Sequence, residues 1–141
     1  MTDRPVPVAD ELSAPYWEAA RRHESVLPRC AACGRCDLPP EIVCRRCGSA
    51  TPDWHYQPVS GRGTVRSWTV VRRSFLPSFE TPFVLVDVEV EEEDDLRVIG
   101  RLLDTLDVDD PGLQIGTPVR TVFEDVGDDH AVPAFRLVIE R

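Results

Sequence analysis

The 141-residue sequence contains no lysine; all 16 of its basic residues are arginine. That absence removes chemistry that needs a lysine amine, both Schiff-base catalysis on carbonyl substrates and the phosphate-cradling lysine of a P-loop. Long apolar runs are missing as well. No stretch approaches the roughly 20 residues that a membrane-spanning helix needs, so no membrane partner is expected. The opening segment, MTDRPVPVADEL, has neither a basic n-region nor an apolar h-region. Nothing there marks the chain for secretion, and a reducing cytoplasm is the expected location. Histidine is sparse: His23, His55 and His130 are scattered, and none stands in a recognisable nucleophile arrangement with serine, cysteine or aspartate. With no catalytic set legible, the chain is not expected to be an enzyme on its own.

Charge of one sign dominates. Twenty-five acidic residues against 16 basic ones give a formal net charge of −9. A chain this acidic is repelled by a phosphate backbone unless its arginines are strongly clustered, so nucleic acid is not an expected partner.

Cysteine is concentrated in one place. All five cysteines fall between Cys30 and Cys47. Cys30 and Cys33 form one C-x-x-C pair, Cys44 and Cys47 a second, with ten residues between them. In each pair the two-residue gap turns the chain back so that both sulfurs face one point, the geometry of a zinc ribbon with Zn–S distances of about 2.3 Å. Gly34 and Gly48 follow the two pairs and accept the positive φ that such a knuckle tends to require. A disulfide or redox reading is disfavoured by a reducing compartment and by the doubling of the motif. Four thiolates fill a tetrahedral shell and leave no place for water, so the expected Zn²⁺ is structural. Cys36 is the odd thiol, read as a ribbon-loop residue or, alternatively, as a ligand in exchange with Cys33. Arg29, Arg35, Arg45 and Arg46 lie beside the thiolates, either compensating their charge or binding phosphate or a partner's acidic patch.

Around the ribbon, the reading is mainly β. Residues 1–12, acidic and proline-containing, are expected to be mobile or to lie against a partner. Ser13 offers an N-cap and Pro15 a first-turn proline to a helix over 14–24, whose stripe of Tyr16, Trp17 and Ala20 must dock on this chain or on another subunit. Five strand candidates follow: Thr64–Val71; PFVLVDVEVEEEDD, where Val84, Val86, Val88 and Val90 alternate against a face that turns polar at Asp87 and Glu89; LRVIGRLL; TPVRTVFED; and AFRLVIER. Without a second helical pattern among them, they suggest a small five-stranded antiparallel barrel of the OB type. The run EEEDD reads as a solvated hairpin tip. The expected organisation is an N-terminal segment with a docking helix over 1–28, a zinc ribbon over 29–58 and the OB-fold domain over 59–141.

The ordered motifs, a YWEA helix, RCAACG, PPEIVCRRCGS, VSGRGTVRSWTVV, PFVLVDVE, IGTPVRTVFED and VPAFRL, resemble the acyl-CoA-associated zinc-ribbon/OB-fold family, long catalogued only as a domain of unknown function. The resemblance runs from Tyr16 to Leu137. It implies an N-terminal helical segment, a rubredoxin-like ribbon and a C-terminal OB fold. It also implies a non-catalytic accessory subunit of a thiolase-like enzyme (a thiolase, an acyltransferase or a retro-aldolase of steroid side-chain breakdown). Some members of the family also accompany a hotdog-fold enoyl-CoA hydratase. Cys30, Cys33, Cys44 and Cys47 match the family's zinc ligands. Arg45 replaces a proline common after the third cysteine, and Cys36 stands where another residue is usual; neither change removes a ligand. Some members help line a coenzyme A channel, and RRSFLPSFETPF is the corresponding loop here. Trp17, Arg72, Arg73, Phe75 and Phe79 are therefore the candidate residues facing a partner or its acyl-CoA. Two alternatives stand beside this reading. A nucleic-acid-binding ribbon and OB module is physically possible but opposed by the net charge. A thiol enzyme using Cys36 would need an activating base that the sequence does not show.

Overall fold

The computed structural model describes residues 4–139. Its one α-helix, α1, spans Ala14–Arg21, shorter than the expected 14–24. The chain breaks at His23, whose φ of 59° lies in the left-handed region and cannot continue a right-handed helix. Ser13 occupies the N-cap position but forms no side-chain cap. Its hydroxyl instead accepts the Asp10 N–H at 3.1 Å, while the Asp10 carboxylate accepts the Ser13 N–H at 2.8 Å. The docking question raised by the sequence has an answer within this chain: Ala19 and Ala20 are buried, and α1 packs on a barrel strand and on the ribbon.

A two-stranded antiparallel sheet frames the cysteine segment. It consists of β1 (Val26–Arg29) and β2 (His55–Pro58), paired from Val26 with Pro58 to Arg29 with His55. Neither strand stood out in the sequence, since four residues with a proline carry little periodicity. Five further strands close a barrel in the order β3-β4-β5-β7-β6. They are β3 (Arg62–Val71), β4 (Phe83–Val90), β5 (Arg97–Leu102), β6 (Pro118–Val126) and β7 (His130–Leu137). The expected barrel is present, with two corrections. A closed ring of five strands cannot alternate direction all the way round, so it is not wholly antiparallel: β5 and β7 run parallel where Leu102 meets Phe135. The last strand begins at His130, four residues before the expected start. Pro133 is accommodated because β5 joins β7 only near Phe135. Glu140 and Arg141, the end of the expected strand, lie outside the described residues.

The core follows the alternation read in β4. Val84, Val86 and Val88 point inward and pack with Val65, Leu102, Leu113, Val119 and Phe135. Phe135 is the largest fully buried side chain. A bulge between Val65 and Ser67 bends β3 so that its first residues pair with β6 while its full length follows β4. Gly63 sits at this crossing. A Cβ there would lie 2.5 Å from the Glu89 carbonyl oxygen, so no larger residue fits without moving β4.

Candidate metal centre and the ribbon–barrel junction

Both knuckles are built alike. Gly34 N–H donates to the Cys30 carbonyl and Gly48 N–H to the Cys44 carbonyl, each at 2.8 Å. The two glycines have φ of 78° and 76°, as expected of turns that reverse the chain beneath a metal. Cys30 N–H and Cys44 N–H donate in turn to the carbonyls of Arg35 and Ser49, closing each loop. The first knuckle is tied to the segment after the second by Ala31 N–H donating to the Pro52 carbonyl at 2.7 Å.

These turns bring the Sγ atoms of Cys30, Cys33, Cys44 and Cys47 within 4.8 Å of one another. Cys30 and Cys47 sulfurs are 3.9 Å apart, as are those of Cys33 and Cys44. A tetrahedron with Zn–S bonds of about 2.3 Å has S···S edges of about 3.8 Å, so the set fits a four-thiolate zinc site. Cys30 and Cys44 are fully buried, Cys33 is half-buried and Cys47 exposed. Burial disfavours the Cys44 thiolate, but the backbone N–H groups of Cys47 and Arg46, together with the Cys47 and Cys30 thiols, outweigh it and bring its pKa down to about 7.

Cys36 lies outside this cluster. It is buried and packs with Leu27 and Leu96, edged by Leu38, Val59 and Val90. Burial, followed by the nearby Glu93 carboxylate, raises its pKa. A buried thiol with a raised pKa is a poor nucleophile, which argues against the Cys36 enzyme. Three of the four arginines beside the thiolates find partners other than the metal site. Arg45 forms a bidentate pair with the buried Asp37 at 2.6 and 2.8 Å, Arg29 donates to the Gly34 carbonyl, and Arg35 reaches Glu93.

Glu93 corrects the reading of EEEDD as a solvated tip. Its side chain is 13% exposed, and one carboxylate oxygen accepts the Cys36 N–H at 2.6 Å while the other accepts Arg35 Nε at 3.1 Å. The β4–β5 hairpin thus clamps the ribbon onto the barrel. The hydrophobic periodicity of a hairpin carries no trace of such a bond, because its partner lies 57 residues away. We expect Glu93→Ala to lower the free energy of unfolding by about 1.5–3 kcal/mol, the range for a charge-assisted bond whose buried N–H loses its acceptor. Denaturant titration at unchanged zinc content measures it.

The candidate partner-facing residues separate. Trp17 is half-buried on α1, edge-on to Tyr16 with ring centroids 5.0 Å apart, and lines a groove with Pro7, Asp129 and His130. Arg72 is paired with Asp109 at 2.7 Å, and Arg73 is exposed. Phe75 is 98% exposed. Phe79 turns the other way: the Arg4 guanidinium lies 4.8 Å over its ring, and its centroid is 6.2 Å from that of Phe83. Arg101 covers Phe83 at 5.5 Å, and Arg4 and Arg101 both bind Glu124, at 3.2 and 2.7 Å. This ring of contacts straps Arg4 of the N-terminal segment and the β3–β4 loop to the barrel, so the segment expected to be mobile or to lie against a partner is tied to this chain's own barrel at Arg4. Met1, Thr2 and Asp3 lie outside the described residues.

A barrel of this topology capped by a closed four-cysteine ribbon defines a zinc-ribbon/OB-fold protein. The sequence matches the family models for the ChsH2 rubredoxin-like zinc ribbon domain over residues 17–53 and the ChsH2 C-terminal OB-fold domain over residues 56–124. The chain belongs to this ChsH2 zinc-ribbon/OB-fold family. Among solved structures it is similar to a chain described as Ltp2-ChsH2(DUF35) aldolase, with 32% identity and a TM-score of 0.80, covering 94% of this chain and 99% of that one. A DUF35-family protein of Sulfolobus solfataricus shares the fold at 10% identity, with a TM-score of 0.59 over 92% of this chain and 87% of that one. Among curated proteins it is 32% identical over 133 residues to a probable enoyl-CoA hydratase alpha subunit of Thermomonospora curvata. It is also 32% identical over 122 residues to the 3-oxo-4,17-pregnadiene-20-carboxyl-CoA hydratase alpha subunit of Mycobacterium tuberculosis. Those alignments cover 94% and 86% of this chain but 40% and 37% of the two relatives.

Proposed function

We propose that the protein is a non-catalytic accessory subunit that binds a thiolase-like acyl-CoA enzyme and helps form its acyl-CoA site. The observation that carries this reading is the end-to-end similarity to a chain named for an aldolase assembly, at 0.80 TM-score and 32% identity. The geometry supports it. Four thiolates form a closed shell suited to holding the ribbon together, and the β3–β4 loop holds Phe79 against the barrel while Phe75 projects into solvent. An exposed ring on an anchored loop is a means of filling a partner's apolar recess. The names of the curated relatives favour a second partner class, an enoyl-CoA hydratase subunit, and steroid-derived acyl-CoA as the substrate class.

Zinc bound at Cys30, Cys33, Cys44 and Cys47 is structural in this reading, and the protein works in the cytoplasm. Its organisation is a docking segment over 1–28, the ribbon over 29–58 and the OB domain over 59–141. Affinity purification from the native host is expected to recover a thiolase-like or hydratase subunit in fixed stoichiometry. The isolated protein is expected to turn over no acyl-CoA substrate and to leave a random single-stranded oligonucleotide unbound at physiological salt. Turnover by the isolated chain, or sub-micromolar oligonucleotide binding at that salt, overturns the proposal.

A further inference from the structure

One groove on the ribbon side has walls fixed from within and charge of a single sign. It runs between the N-terminal segment, at Asp10, Glu11 and Leu12, and the loop joining the two knuckles, at Glu41 and Ile42. Trp54 and Tyr56 line it between these walls, and its volume is about 650 Å³. Each aromatic residue pins one wall: Tyr56 Oη donates to the Leu12 carbonyl at 2.8 Å, and Trp54 Nε1 donates to the Glu41 carbonyl at 2.8 Å. Burial pushes the Tyr56 phenol up to about 12, so it remains a donor. The groove therefore needs no ligand to hold it open.

Among the described residues, every charged one lining it is acidic: Asp10, Glu11, Glu41 and Asp53. The Ser13 N–H holds the Asp10 carboxyl below its usual range, keeping it ionised. Apolar surface is exposed at the same place. Ile42 is 78% exposed and Val43 46%, on a loop otherwise anchored by the metal knuckles. A segment bearing lysine or arginine beside leucine-like side chains complements all of this: its cation meets the carboxylates and the indole face, and its apolar side chains cover Ile42.

We propose that this groove is a docking site for a basic, apolar segment of the protein that the chain accompanies. The proposal rests on the accessory-subunit reading for the source of that segment. The test for the groove itself is independent. With ¹⁵N-labelled full-length zinc-loaded protein at low ionic strength, acetyl-Arg-Leu-Leu-Arg-amide at millimolar concentration is expected to shift the Trp54 indole and Ile42 amide resonances. The same peptide with glutamate in place of arginine is expected to leave them unmoved. Glu41→Gln with Asp53→Asn should weaken the basic peptide roughly tenfold, the loss expected of two surface charge contacts. Asparagine tolerates the positive φ of 46° at position 53. Glu80→Gln with Asp110→Asn, an equal change in net charge on exposed residues outside the groove, should leave affinity unchanged. Absence of shifts at Trp54 and Ile42, equal response to both peptides, or equal weakening by both double variants overturns the groove assignment. Such a result leaves the accessory-subunit reading standing, whereas purification without an acyl-CoA enzyme overturns that reading and leaves a positive peptide result intact.

Discussion

Cys44→Ser is expected to abolish stoichiometric zinc binding and unfold the ribbon, while Cys36→Ser is expected to retain one zinc per chain. The contrast follows from position. Cys44 is fully buried with its sulfur 3.9 Å from that of Cys33, so serine removes one corner of the tetrahedron. Between β1 and β2 the chain from Cys30 to Trp54 carries no regular strand or helix, and its two knuckles are turns with little apolar surface of their own. Structural zinc contributes an apparent 10–16 kcal/mol or so in zinc-finger peptides, far more than the packing around this segment can replace. Because the thiols must be deprotonated to bind, affinity should also fall as the pH is lowered, and a chelator should produce the same loss of structure in the native chain. Cys36 sits against Leu27 and Leu96, and its replacement costs packing without removing a ligand. Metal analysis and circular dichroism of both variants make the measurement. Equal zinc loss in the two would falsify the ligand assignment.

Local features were legible because their causes are local. A C-x-x-C-G turn needs only its own five residues to present two sulfurs, and the alternating valines of β4 announce an inward face whatever they pack against. The four-strand agreement with expectation, and the fifth strand displaced by four residues, share that origin: each carries its own period or turn residues. What was hidden depends on distant partners. The β1–β2 sheet joins residues that 25 intervening positions separate (Arg29 to His55), and the parallel β5–β7 contact is a property of ring closure rather than of either strand. Glu93 looked like one of five equivalent acids until the hairpin placed it beside Cys36. Arg4 and Glu124 gave no sign of sharing a contact 120 residues apart, and the same Arg4 lies over the ring of Phe79.

The division between those phenylalanines gives the second large effect. Phe75 and Phe79 recur four residues apart and are equivalent on sequence grounds, yet one ring is 98% exposed and the other lies between Arg4 and Phe83. Phe75→Ala is expected to leave the thermal midpoint and zinc content of the isolated protein unchanged, since an exposed ring contributes little to folding. In the complex with an acyl-CoA enzyme it is expected to weaken association by about 2–4 kcal/mol, roughly thirtyfold or more, as truncation of a central aromatic anchor does. Phe79→Ala should behave in the opposite order. It loses a cation–π contact of about 0.5–1 kcal/mol and an aromatic pair of similar size, which lowers the melting midpoint, and it weakens association only so far as the loop loosens. Calorimetry on the free variants and titration of each into the partner separate the two roles. An early-melting Phe75→Ala, or one that binds the partner as tightly as the parent chain, removes the loop tip from the interface, and the exposed surface at Ile42 and Val43 becomes the next contact to truncate.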